Sequence, residues 1–122
     1  MTIATRGLSF PQTRVQARRV MPVEREVHFL ARMLEVLRTL GYQLVYHTHD
    51  SRHSASGFPD IVAVGFGRCL FIELKADDAP RGLPLAQEAW KVGLEDCPGV
   101  EWYCWRPRDW PEILRTLTKR RR

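Results

Sequence analysis

An α/β domain with the element order αβββαβα is predicted by three features of this 122-residue chain. One long stretch carries apolar residues at helical spacing. Two β-rich runs flank a short Gly65-Phe66-Gly67-Arg68 connection, and a second helical stretch separates them from a fourth β-rich run.

In residues 24–40, Val27, Leu30, Leu34 and Leu37 recur three and four apart and Gly41 supplies a stop, which predicts the first helix. Residues 43–48 read as a strand. Residues 50–57, rich in Ser and closed by Gly57 and Pro59, read as a loop. Residues 60–64 and 69–75 are two further strands forming a hairpin. Residues 76–82 hold two acids, Pro80 and Gly82 and are read as a loop; Pro84 opens a second helix reaching about Asp96, ended by Pro98 and Gly99. Residues 100–105 are the fourth strand. Asp109 is placed to cap a last helix with Pro111 in its first turn and Ile113, Leu114 and Leu117 facing inward.

The length suits one domain, assigned to residues 23–118, between a basic arm at 1–22 and a basic tail at 119–122. The net charge of +5 lies in those ends: Arg6, Arg14, Arg18 and Arg19 stand in the arm without one acid, and the tail is Lys-Arg-Arg-Arg. Such arms gain affinity for a phosphate backbone by counterion release, and they also occur as plain solubilising tails. No apolar run reaches the roughly 18 residues of a membrane span. Cys69, Cys97 and Cys104 are odd in number and form no CxxC, which argues against a disulfide framework and for a reducing, cytoplasmic setting.

If Phe66 and Gly67 form a two-residue turn, Gly65 pairs with Arg68 and Asp60 lies opposite Glu73. Opposed Cβ atoms are roughly 4.5–5.5 Å apart, a spacing at which two carboxylates repel unless a cation stands between them. The pleat puts Lys75 on the face of Glu73, with Ile72 and Leu74 on the other. Two carboxylates and an ammonium suit a hard cation such as Mg²⁺, whose remaining ligands are waters and phosphate oxygens. The competing reading is a surface salt bridge on an ordinary hairpin, which Glu-x-Lys alone would merit.

On the first helix Glu26 shares a stripe with Leu30, Met33 and Leu37, making it the inward acid, although an acid in a first turn also simply favours the helix dipole. His47 and His49 share a face and His53 follows, but no fourth ligand has zinc spacing. Arg52 and His53, in the loop before Asp60, are candidate phosphate contacts. So are Arg106 and Arg108 beyond the last strand, and Lys119 and Arg120 in the tail; solvation is the alternative for each. The aromatics of Trp102, Tyr103 and Trp105 are read mainly as core.

The segments GFPDIVAV (57–64) and CLFIELK (69–75) resemble the PD-(D/E)xK nuclease superfamily, particularly its VRR-NUC branch. The likeness continues into LPLAQEAW, which contains Gln87, and into VEWYCWRPRDWPEI, and spans residues 24–113. It implies a restriction-endonuclease-like αβββαβ core with a mixed central sheet flanked by helices. It also implies that Asp60 and Glu73 hold Mg²⁺ or Mn²⁺ with the Leu74 carbonyl, and that Lys75 is the catalytic lysine. Gln87 would assist, and Glu26 would be the acid of the amino-terminal helix. The chain departs from the usual pattern at ADDAPRGLP after the catalytic strand and at His28, where glutamine is common.

The resulting expectation is a metal-dependent DNA endonuclease of a bacterial or phage-infected cell, without membrane or small-molecule cofactor. By analogy with Holliday-junction resolvases it would act as a homodimer on branched DNA. The alternatives are a restriction or repair nuclease targeted by a partner, and a non-catalytic binding or dimerisation module of the same fold.

Overall fold

The computed structural model describes residues 24–49 and 54–119; the basic arm, Arg52, His53 and Arg120 lie outside them. The first helix, α1, spans Glu26–Leu40 and ends on Gly41 at φ 100°, a left-handed conformation suited to glycine. It starts two residues later than its periodicity suggests. Glu24 precedes it and grips Arg32 through two hydrogen bonds of 2.7 and 2.8 Å. The buried stripe is Phe29, Met33 and Leu37, with Leu30 and Leu34 half-buried. Val27, part of the apolar periodicity, is 63% exposed, because the stripe that meets the sheet runs through Phe29 instead.

Strands β1 (Leu44–His47), β2 (Ile61–Gly65) and β3 (Arg68–Leu74) form an antiparallel meander. The β2–β3 pairs run from Gly65↔Arg68 to Ile61↔Ile72, the register expected for a two-residue turn. Phe66 and Gly67 have φ of 54° and 73°, both left-handed as a type I′ turn requires. Phe66 tolerates this uncommon conformation while its ring meets Tyr42 edge-on at 5.0 Å.

Helix α2 (Leu85–Glu95) then carries the chain to β4 (Val100–Trp105), which pairs parallel to β3 from Cys69↔Val100 to Leu74↔Trp105. A 3-10 turn at Pro107–Asp109 leads into α3 (Trp110–Leu117). The described residues thus form an α/β fold with a four-stranded mixed sheet, order β1-β2-β3-β4, and three α-helices. Among the described residues no helix is long and apolar enough to cross a membrane.

The core gathers Phe29, Met33 and Leu37 of α1 with Ile61, Ala63, Leu70 and Ile72 of the sheet and Ile113 and Leu117 of α3. Each large side chain buried there contributes about 1.5–3 kcal/mol. On the opposite sheet face α2 has no fully buried residue. It is held through Phe58, whose ring meets Trp90 at 5.0 Å and Phe71 at 6.1 Å, both edge-on.

Arg68, read from sequence only as part of the turn, is 6% exposed and ties the carboxyl-terminal helix to the sheet. Its guanidinium holds Glu101 in a two-pronged pair at 2.7 and 2.8 Å and donates to the carbonyls of Thr116 and Lys119. Lys119, expected as a phosphate contact, meets the fold through that carbonyl and leaves its side chain exposed. Asp109 does not cap α3 with its side chain; its Oδ2 accepts from Arg106 N at 2.8 Å, closing the 3-10 turn instead.

Candidate functional site

The site forms where β2 begins and β3 ends. Continuing the β2–β3 pairing one step beyond Ile61↔Ile72 sets Asp60 across from Glu73. The Asp60 main chain is held by Thr48, whose N–H donates to its carbonyl at 2.9 Å. Its carboxylate Oδ2 accepts from the Leu74 N–H at 2.7 Å. Leu74, whose carbonyl is the expected metal ligand, also contributes its amide to orienting Asp60.

Glu73 and Lys75 occupy the same sheet face, as the pleat predicts, and Gln87 of α2 stands between them. Lys75 Nζ donates to Gln87 Oε1 at 2.9 Å, and Gln87 Nε2 donates to Glu73 Oε2 at 3.2 Å. α2 reaches this position because the loop before β2 packs onto its first turn. At Gly57, with φ 79°, a Cβ would lie 2.4 Å from the Ala86 carbonyl carbon, so only glycine permits the approach. Trp90 Nε1 adds a hydrogen bond to the Ser56 carbonyl at 3.0 Å.

Glu73 is 4% exposed. Burial, followed by the charge of Asp60 and a hydrogen bond with it, pushes the Glu73 carboxyl up to about 8, while Lys75 pulls it down and Glu26 adds a smaller upward push. Glu26 is thus close enough to act on the site electrostatically, although its side chain is exposed at the start of α1. Cys104, the β4 neighbour of Glu73, has its thiol raised by burial and by the Glu73 charge, which disfavours a thiolate nucleophile.

A cleft of about 540 Å³ opens beside the acids, bordered by His49, Ser54, Phe58, Asp60, Glu73 and Gln87. The His47 and His49 rings lie 4.0 Å apart, tilted by 48°, and His47 Nδ1 is buried without a hydrogen-bond partner among the described residues. Among the described residues no group of three or more His, Cys, Asp or Glu side chains converges to hold a metal by itself. Two crowded carboxylates competing for a proton, with only oxygen donors, nonetheless fit a hard cation that keeps waters and takes substrate oxygens.

The chain matches no protein-family model, no curated protein and no solved structure.

The structure brings Asp60, Glu73, Lys75 and Gln87 together and sets Glu26 within electrostatic reach. It places Arg106 otherwise than expected. Instead of facing solvent for phosphate, its guanidinium donates to the carbonyls of Ala76 (2.6 Å), Ala79 (2.9 Å) and Pro80 (3.0 Å). Arg108 is exposed, and its main-chain N–H donates to Asp77 Oδ1 at 3.1 Å. The loop clamp of Arg106 and the close approach at Gly57 were both missed in the sequence. The Gly-x-Pro-Asp spacing hinted only at the second.

Proposed function

We propose that this protein is a divalent-metal-dependent nuclease hydrolysing DNA phosphodiester bonds. The observation that carries the reading is the Glu73–Gln87–Lys75 hydrogen-bonded chain beside Asp60, with a Glu73 carboxyl raised by burial and by the charge of Asp60. A carboxyl so perturbed at the edge of a cleft is typical of a working site. A surface salt bridge would leave it exposed and unshifted.

Asp60 and Glu73 would hold Mg²⁺ or Mn²⁺, with Glu26 adding negative charge. The bound ion supplies charge neutralisation at the phosphate and activation of water. Lys75 donates its Nζ protons to a phosphate oxygen or to the attacking water, stabilising the added negative charge. Gln87 keeps that ammonium from collapsing onto Glu73 and holds both groups in place. The Leu74 amide fixes the Asp60 carboxylate.

The αβββαβ order, the mixed sheet and the GFPD and ELK segments support a restriction-endonuclease-like core of the PD-(D/E)xK, VRR-NUC kind. Branched DNA cut by a homodimer extends that reading by analogy of fold. The test is cleavage of a labelled four-way junction, flap, linear duplex and single strand in Mg²⁺, Mn²⁺ or EDTA. Metal-dependent cutting lost in Glu73→Gln and Lys75→Ala supports the reading. Symmetric junction cuts support the dimer. Binding of every substrate without cleavage, in all ions, turns the assignment to a non-catalytic module or a partner-dependent nuclease.

A further inference from the structure

A second hollow, of about 340 Å³, adjoins the site at Lys75 and is lined by that residue and by residues 79–84. Its volume lies in the roughly 300–1,000 Å³ range of small-ligand sites. The two hollows meet at the Glu73–Gln87–Lys75 chain: Glu73 and Gln87 border the first, and Lys75 borders the second. Their charges differ in sign. Asp60 and Glu73 make the first acidic, whereas Lys75 and Arg81 make the second basic.

The wall of the second hollow is preformed. A loop carrying Pro80, Gly82 and Pro84 would be mobile by composition, yet the Arg106 guanidinium gathers four carbonyls of its 76–80 part and Ala79 N donates to Ala76 O at 3.1 Å. Asp77 is turned to the Arg108 N–H, and the exposed Asp78 is not part of the lining. Arg81 is exposed and makes no hydrogen bond or ion pair among the described residues. The Arg81 guanidinium, which follows the segment that Arg106 holds, is available to an anion that then has to order one side chain rather than the 76–80 loop.

We propose that this hollow binds the phosphodiester group adjacent to the one that is cut, with Arg81 donating to its non-bridging oxygens and Arg106 acting as the positioning residue of the loop. This rests on the nuclease reading above. Without metal the first cleft offers a phosphate the Asp60 carboxylate, whereas the second offers the Lys75 ammonium and the Arg81 guanidinium, so beside the site a backbone phosphate is drawn to the second hollow.

The experiment measures binding of a fluorescein-labelled linear duplex and a four-way junction by anisotropy, in EDTA over a series of KCl concentrations, for the wild type, Arg81→Gln and Arg81→Glu. Arg81 is exposed, so both variants fold. Loss of this contact weakens binding alike for unrelated sequences and reduces the slope of log K against log salt by about 1. Unchanged affinity and slope in Arg81→Glu overturn the proposal, whether or not the wild type cleaves. An Arg81-dependent slope in a protein that cleaves nothing supports the contact and fails the nuclease reading alone.

Discussion

Glu73 and Lys75 are joined through the Gln87 carboxamide, which accepts from Nζ at 2.9 Å and donates to Oε2 at 3.2 Å. An amide can satisfy both groups only in one orientation, oxygen toward the ammonium and nitrogen toward the carboxylate. The three side chains therefore set one another's positions, and a helix outside the hairpin governs the spacing of its charges.

Replacing Gln87 by Leu removes both bonds at similar volume. Single-turnover cleavage is expected to fall about 10–100-fold, the usual loss when a group orienting a metal ligand is removed. DNA affinity in EDTA should stay within about twofold, since Gln87 carries no charge. Gel-resolved time courses and anisotropy measure the two.

Glu73 ties stability to pH. Its carboxyl has an ordinary value of 4.5 and is pushed up to about 8 in the folded chain. Between these limits the folded state keeps a proton that the unfolded state has lost, so this contribution is fully present below 4.5 and disappears as pH rises through about 8. Urea denaturation in EDTA should show stability declining over that interval, with a shallower decline in Glu73→Gln. Saturating Mg²⁺ should oppose the decline by displacing the proton. A wild-type and variant profile of equal slope would remove Glu73 as the source.

Gly57 is the hinge of contact between the 54–59 loop and α2. In Gly57→Ala the methyl group would meet the Ala86 main chain at 2.4 Å and also strain a positive φ. The loop must move away from Gln87. A stability loss of about 1–3 kcal/mol is expected, with lower cleavage per folded molecule. Thermal denaturation and active-site titration separate the two effects.

Arg68→Ala removes the guanidinium from Glu101, which keeps the Tyr103 hydroxyl, and takes the Arg68 donor from the Thr116 and Lys119 carbonyls. Breaking a buried pair from one side costs about 3–5 kcal/mol. The lower end applies here, because the Glu101 side chain is 29% exposed and can rehydrate. Urea denaturation measures the loss. Cleavage per folded molecule should survive, since Arg68 lies at the end of β3 remote from Glu73.

Much of the hairpin was legible in the sequence because its determinants are local. A two-residue turn at Phe66-Gly67 sets the pairing, and a pleat of period two then places Glu73 and Lys75 on one face. The residues 100–105 strand was also bounded correctly, as Pro98, Gly99 and Pro107 punctuate it. The periodicity of α1 marks a helix but not its buried stripe, since several apolar stripes compete and only contact with the sheet selects Phe29 over Val27.

What only the tertiary structure decided involves residues far apart in the chain. Periodicity does not reveal that β4 runs parallel to β3, that Gln87 falls between Glu73 and Lys75, or that Arg106 closes on the 76–80 loop rather than facing solvent. Nor does the ELK segment disclose that Glu73 is buried beside Asp60 and holds its proton to about pH 8. The sequence by itself determined the elements, the hairpin register and the identity of the charged residues, because backbone geometry relates neighbours. The charge state and the partners of those residues depend on desolvation and on groups brought close by folding, and no local pattern encodes either.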